Sequence, residues 1–85
     1  MRYRLGLAPR MAGGRVTGYT VRSNVEMPAL ARAGIRPGDV IVSVNGSNLD
    51  EERLQELAWN IANSAQTQFE VERGGRRVLL SLQPR

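Results

Sequence analysis

Apolar residues along this chain recur with a period of two in some stretches and 3.6 in others, and the changes of period mark out about five strands and two helices. Tyr3, Leu5 and Leu7 alternate with Arg2, Arg4 and Gly6, which predicts a half-buried strand over Tyr3 to Ala8. Ala12-Gly13-Gly14 reads as a turn, and Val16 to Arg22 as the returning strand of a loosely closed hairpin. Ser23-Asn24 breaks that strand. A short helix is expected from Met27 to Ala33, with Pro28 in its first turn and Gly34 closing it in a left-handed conformation.

The segment Gly34-Ile35-Arg36-Pro37-Gly38-Asp39-Val40-Ile41-Val42-Ser43-Val44-Asn45-Gly46 carries the strongest local signals. Pro37-Gly38 suits a tight turn, because proline presets one central angle and glycine accepts positive φ at the next. Val40 to Val44 is β-branched except for Ser43, a short run that fits a strand buried on much of both faces. Asn45-Gly46 then reverses the chain.

A longer helix follows. Asp50 is placed to cap it, Glu51 and Glu52 lie where the helix dipole favours negative charge, and Leu49 can pack on Leu54 as a staple. Leu54, Leu57, Ala58, Ile61 and Ala62 form one apolar stripe over about three turns, which Asn63-Ser64 ends. Gln66 to Arg73 and Arg76 to Leu82 flank Gly74-Gly75 as a terminal hairpin, with Val71, Val78, Leu80 and Leu82 facing inward.

Composition narrows the chemistry. Eighty-five residues with 41% apolar content suffice for one small core. No stretch approaches the length of a membrane-spanning helix, and Met1 to Arg4 is too polar to read as a signal peptide. Histidine and cysteine are both absent, which removes histidine-based triads, thiol nucleophiles and the usual zinc ligand sets. No catalytic residues, metal or cofactor are therefore expected. The net charge of +4 raises the question of nucleic acid, but the twelve basic residues, all arginine, are scattered from Arg2 to Arg85 without an aromatic platform. A solvated surface accounts for them better, and no nucleic-acid partner is expected.

The order of hairpin, short helix, A-G-[IL]-x-x-G-D strand, V-N-G turn, longer helix and terminal hairpin resembles a PDZ domain over nearly the whole chain. Gly18-Tyr19-Thr20-Val21, Pro28-Ala29-Leu30 and Val71-Glu72-Arg73-Gly74-Gly75 are similar, more narrowly, to the PDZ domain of the inner-membrane protein C family of type II secretion systems. This resemblance implies a mainly β fold with two helices: a small, partly open barrel or sandwich of about five strands, capped by a short and a longer helix. Residues 1–85 would form a single PDZ-like domain, a fragment of a longer protein.

The resemblance also implies a function and a site. PDZ domains bind an extended segment as an added strand beside one sheet edge, with the longer helix as the other wall. Matched to that pattern, the edge strand is Tyr3 to Ala8, with Tyr3, Leu5 and Leu7 in the groove, and the wall is Leu54, Ala58 and Ile61. Leu57 is expected to face the sheet as core, whereas Leu54 reads equally as groove lining or core. The implied partners are extended protein segments, either other secretion-system components or secreted cargo. The implied setting is a periplasmic domain of a bacterial inner-membrane protein. The alternative is the regulatory, substrate-sensing PDZ domain of a periplasmic or membrane-associated protease.

One departure bears on the ligand. The family's glycine-rich carboxylate-binding loop falls, in an ungapped register, on Met1 to Arg4, and Arg4-Leu5-Gly6-Leu7 echoes it only in part. An internal or extended segment is thus the expected ligand, in preference to a free C-terminus. Trp59, the single tryptophan, lies off the apolar stripe and is expected to be partly buried under a neighbouring loop.

Overall fold

In the computed structural model, which describes residues 6–22 and 28–83, strands β1 (Leu7–Ala12), β2 (Arg15–Val21), β3 (Val40–Val44), β4 (Ser47–Asn48), β5 (Thr67–Arg73) and β6 (Arg76–Leu82) form one antiparallel sheet. The order is β1-β2-β3-β5-β6, with β4 paired to β3. Helices α1 (Pro28–Arg32), α2 (Glu51–Gln55) and α3 (Leu57–Asn63) complete the described chain. The mainly β architecture agrees with the sequence reading. Its core gathers Leu7, Tyr19, Ile41, Leu57, Phe69 and Val71, each no more than 2% exposed.

The first hairpin departs from expectation. Of the strand expected over Tyr3 to Ala8, Tyr3 to Leu5 lie outside the described residues and Gly6 is not strand; the described strand runs Leu7–Ala12. Gly13 and Gly14, at φ of 59° and 78°, make a tight two-residue turn closed by the pair Ala12 and Arg15, so Ala12, read as part of the turn of a loosely closed hairpin, is strand instead. Proline argues against a central strand, yet it is tolerated on an edge, where Pro9 lies.

Gly18 is required where β2 meets β3. A Cβ placed on it would lie 2.8 Å from Val40 Cγ1 and 2.9 Å from the Ile41 carbonyl oxygen. Next to it, Thr17 is the unpaired residue of a bulge, since Arg10 pairs with Gly18 and Met11 with Val16.

The signature segment folds as its turn residues dictate. Gly34 N–H donates to Ala31 O and Ile35 N–H to Leu30 O, each at 3.0 Å, which closes α1 in a Schellman arrangement with Ile35 and Leu30 both buried. Asp39 N–H closes the Pro37-Gly38 turn on Arg36 O at 3.0 Å. Asp39 is 2% exposed. Its carboxylate accepts from Arg36 N–H at 2.9 Å and from Arg73 Nε and Nη2 at 2.9 and 2.7 Å, while Arg73 Nη2 also reaches Gly34 O. One ion pair thus ties the end of α1, the turn and β5 together.

Gly38 sits at φ 95°, and a Cβ added there would meet no atom within 4 Å, so only backbone strain opposes a side chain. Gly38→Ala is expected to destabilise by about 1 kcal/mol. Chemical denaturation checks this, and an unchanged midpoint would contradict the turn assignment.

The longer helix is split. Asp50 caps it as expected, its Oδ1 accepting from Arg53 N–H at 2.8 Å. At Glu56 the backbone tightens, with its N–H donating to Arg53 O at 3.1 Å, and α3 begins one residue later. Leu57 is 1% exposed and faces the core, as the stripe predicts. Trp59 does not follow expectation: it is 66% exposed, because it lies on the side of α3 turned away from the sheet.

Candidate functional site

The hydrogen-bond phase of β1 decides which of its backbone groups are available. Arg22 N–H donates to Gly6 O at 3.0 Å. In an antiparallel ladder the bonded pairs alternate, so Gly6, Ala8 and Arg10 direct their backbone groups toward β2 while those of Leu7 and Pro9 point to the outer edge. Among the described residues no strand pairs with that edge. It is therefore a template for an added strand.

Side chains follow the same alternation. Leu7, Pro9 and Met11 share the face of β1 turned toward the core, where Leu7 is 1% exposed, Pro9 is half-buried and Met11 is 56% exposed. On the helices, Leu54 and Ile61 are half-buried against the core and Ala58 is exposed beside the buried Leu57. Of the residues matched to a groove in the sequence, Leu7, Leu54, Ala58 and Ile61 thus fall on β1, α2 and α3. Pro9 and Met11, which share this face of β1, were not among the residues matched in the sequence. The signal that could have found them is Gly13-Gly14, which sets the strand end once read as a two-residue turn.

Electrostatics brace this edge. Burial pushes the Tyr19 phenol above its ordinary 10.0, and the carboxylates of Glu51 and Asp50 add to the effect. Arg15 and Val16 of β2 face Asp50, Glu51 and Glu52 across an open cleft of about 420 Å³. On the opposite face of the sheet, Arg10 reaches across β2 and β3 to Glu72 on β5, with 2.7 Å between Nη1 and Oε1. Hydrogen bonds from Arg10 hold the Glu72 carboxyl below the usual 4.5, and those from Arg77 and then Ser43 do the same for Glu70. These pairs are solvent-accessible, so their value is in fixing geometry more than in stability.

The segment before β1 also moves. With the strand starting at Leu7, the residues leading into it end at Gly6, whose φ is 73°, and not at Arg4 as the ungapped register had it. Gly6, from the partial echo Arg4-Leu5-Gly6-Leu7, thus immediately precedes β1, and Arg4 and Leu5 lie outside the described residues.

No curated protein sequence matches this chain. Among solved structures, the PDZ domain of EpsC from Vibrio cholerae is similar, with a TM-score of 0.68 and 24% identity over 95% of this chain and 78% of that one. The PDZ domain of the pullulanase C protein of the type II secretion system from Klebsiella pneumoniae, solved in complex with fatty acid, gives 0.66 and 24% over 95% and 84%. The HtrA3 PDZ domain, solved with the phage-derived ligand FGRWV, is 34% identical with a TM-score of 0.62 over 82% of this chain and 65% of that one. The PDZ domain family model matches residues 21–83. With an antiparallel sheet, helical segments and a family match over most of its length, this chain belongs to the PDZ domain family, a family of protein-interaction modules.

Proposed function

We propose that this domain binds an extended protein segment as an added strand on the β1 edge, between β1 and the α2–α3 wall, and that it does so within type II secretion machinery. The observation that carries the reading is the outer edge of β1, with which no strand pairs among the described residues, and to which backbone groups of Leu7 and Pro9 are directed. Leu7, Leu54, Ala58 and Ile61 would line the groove, with Tyr3 and Leu5 at its near end. The setting would be periplasmic, in a protein anchored to the bacterial inner membrane, and the partners secreted cargo or other components of the machine. The likeness to the EpsC and pullulanase C domains supports this, as do the secondary sequence similarities.

The 34% identity to the HtrA3 domain favours a second reading, a regulatory PDZ domain that senses substrate for a protease. The parent gene separates the two: one N-terminal membrane span without a protease domain supports the first, and an upstream serine protease domain supports the second.

Leu54 is apolar where PDZ domains that select a ligand hydroxyl carry histidine. An apolar wall leaves such a hydroxyl without a partner, so a hydrophobic ligand residue should be preferred there. The test is an NMR titration with FGRWV and two analogues carrying leucine or threonine at the central position, each in free and C-terminally amidated form. Expected are shifts along Leu7 to Ala12 and Leu54 to Ile61, affinities on the order of micromolar or poorer, a preference for leucine, and similar binding of amidated and free peptides. Leu54→His should raise the relative affinity for threonine. Shifts elsewhere, or a wild-type preference for threonine, would overturn the reading.

A further inference from the structure

The docking edge is short of one donor, and the residue responsible is Pro9. Its pair partner across the hairpin is Tyr19, at a position between the bonded pairs of β1 and β2. Toward β2, therefore, the missing N–H costs nothing, since no ladder bond is made there. Toward the outer edge it leaves a gap. Across Leu7 and Pro9 the edge presents two carbonyl acceptors and a single N–H donor, at Leu7.

We infer that Pro9 sets the hydrogen-bond polarity of the docking edge, making it a site that takes N–H groups from the bound segment and returns fewer. This rests on the strand-addition reading above and deepens it. The segment it fits is an extended peptide with free N–H groups at the alternate positions facing Leu7 and Pro9, so proline is excluded from both. Opposite Pro9 the segment's own carbonyl stays bonded to water, which keeps the complex weak and fast to dissociate. The same feature guards the edge against another sheet edge, which requires a full set of donors and acceptors to dock.

The geometry around Pro9 accommodates a donor. The side chain is half-buried on the groove side, and Ala8 and Arg10 on either side hold their own ladder pairings with Thr20 and Gly18. Pro9→Ala should consequently leave the hairpin register intact and add one outward N–H.

The experiment is an NMR titration of ¹⁵N-labelled wild type and Pro9→Ala with FGRWV up to millimolar concentration, together with exchange of the backbone amide that the substitution creates at position 9. Affinity should rise about three- to tenfold in the variant. The new amide should shift downfield and exchange more slowly only when peptide is present. Equal affinities, a gain without protection of the new amide, or no binding by either protein would overturn the inference while leaving strand addition by other sequences standing. Shifts that fall away from β1 and α2–α3 in both proteins would instead remove the strand-addition reading itself.

Discussion

Gly18→Ala is expected to destabilise the domain by about 3 kcal/mol or more, and larger residues at this position should prevent folding. Two costs combine. The backbone holds φ at 151°, a conformation that side chains disfavour, and the added Cβ would enter contacts of 2.8 Å with Val40 Cγ1 and 2.9 Å with the Ile41 carbonyl oxygen. A flexible chain end could swing aside, but the Ile41 carbonyl is backbone of a central strand and Val40 is branched at Cβ. Relief therefore requires β2 and β3 to separate where Tyr19 and Thr20 pair with Ile41 and Val40. Gly13→Ala is the control, because Gly13 has positive φ but no atom within 4 Å of a Cβ and should cost only about 1 kcal/mol. Urea denaturation of the two variants measures the difference. Equal losses would show that strand packing around Gly18 is looser than these contacts require. Because Arg10 pairs with Gly18, separation there should also broaden the NMR signals of β1.

Asp39→Asn should cost about 2 kcal/mol and lower the melting temperature by about 10 °C. Asp39 is 2% exposed and its carboxylate accepts from Arg36 N–H and from two nitrogens of Arg73, so an amide would turn an N–H₂ group toward at least one donor. Arg73 keeps 30% of its side chain exposed, which holds the loss below that of a fully enclosed pair. The same contacts predict a pH dependence. Burial alone would raise the Asp39 carboxyl, but the Arg73 hydrogen bonds, the Arg36 N–H and both arginine charges together hold it below the ordinary 3.8. A depressed folded-state value means that the ionised form is favoured by folding. Its contribution is complete above the unfolded value of 3.8 and is lost as pH falls through the lower folded-state value. Acid titration of stability should thus be steeper below pH 3.8 in the wild type than in Asp39→Asn. Parallel curves would contradict the clasp.

Much of this fold was legible in the chain because its turns are made by adjacent residues. Gly34, Pro37-Gly38, Asn45-Gly46 and Gly74-Gly75 each act through backbone angles that depend on near neighbours alone, and all occur where the sequence placed them. The same holds for the Asp50 cap and for Leu57 on the inner face of the helix, since capping and helical spacing are local. Val40–Val44 was readable for a related reason, its branched residues fitting a strand whatever lies on either side.

Other features depended on which strands became neighbours. Tyr3 to Ala8 matched a period of two, but pairing with β2 across the Gly13-Gly14 turn selected Leu7–Ala12, and that register carried Pro9 into the edge strand. Nothing near Pro9 in the sequence says that its missing N–H faces outward; the phase of the ladder with β2 does. Arg73 as the partner of Asp39, Glu72 as the partner of Arg10, and the contact that makes Gly18 irreplaceable join residues far apart in the chain. Trp59 was misjudged for the same reason, since a stripe shows which face is apolar but not how far the neighbouring loops extend to cover the other. Short-range angles and periods are encoded residue by residue, whereas edge, register and ion-pair partners arise only when the whole sheet closes around one core.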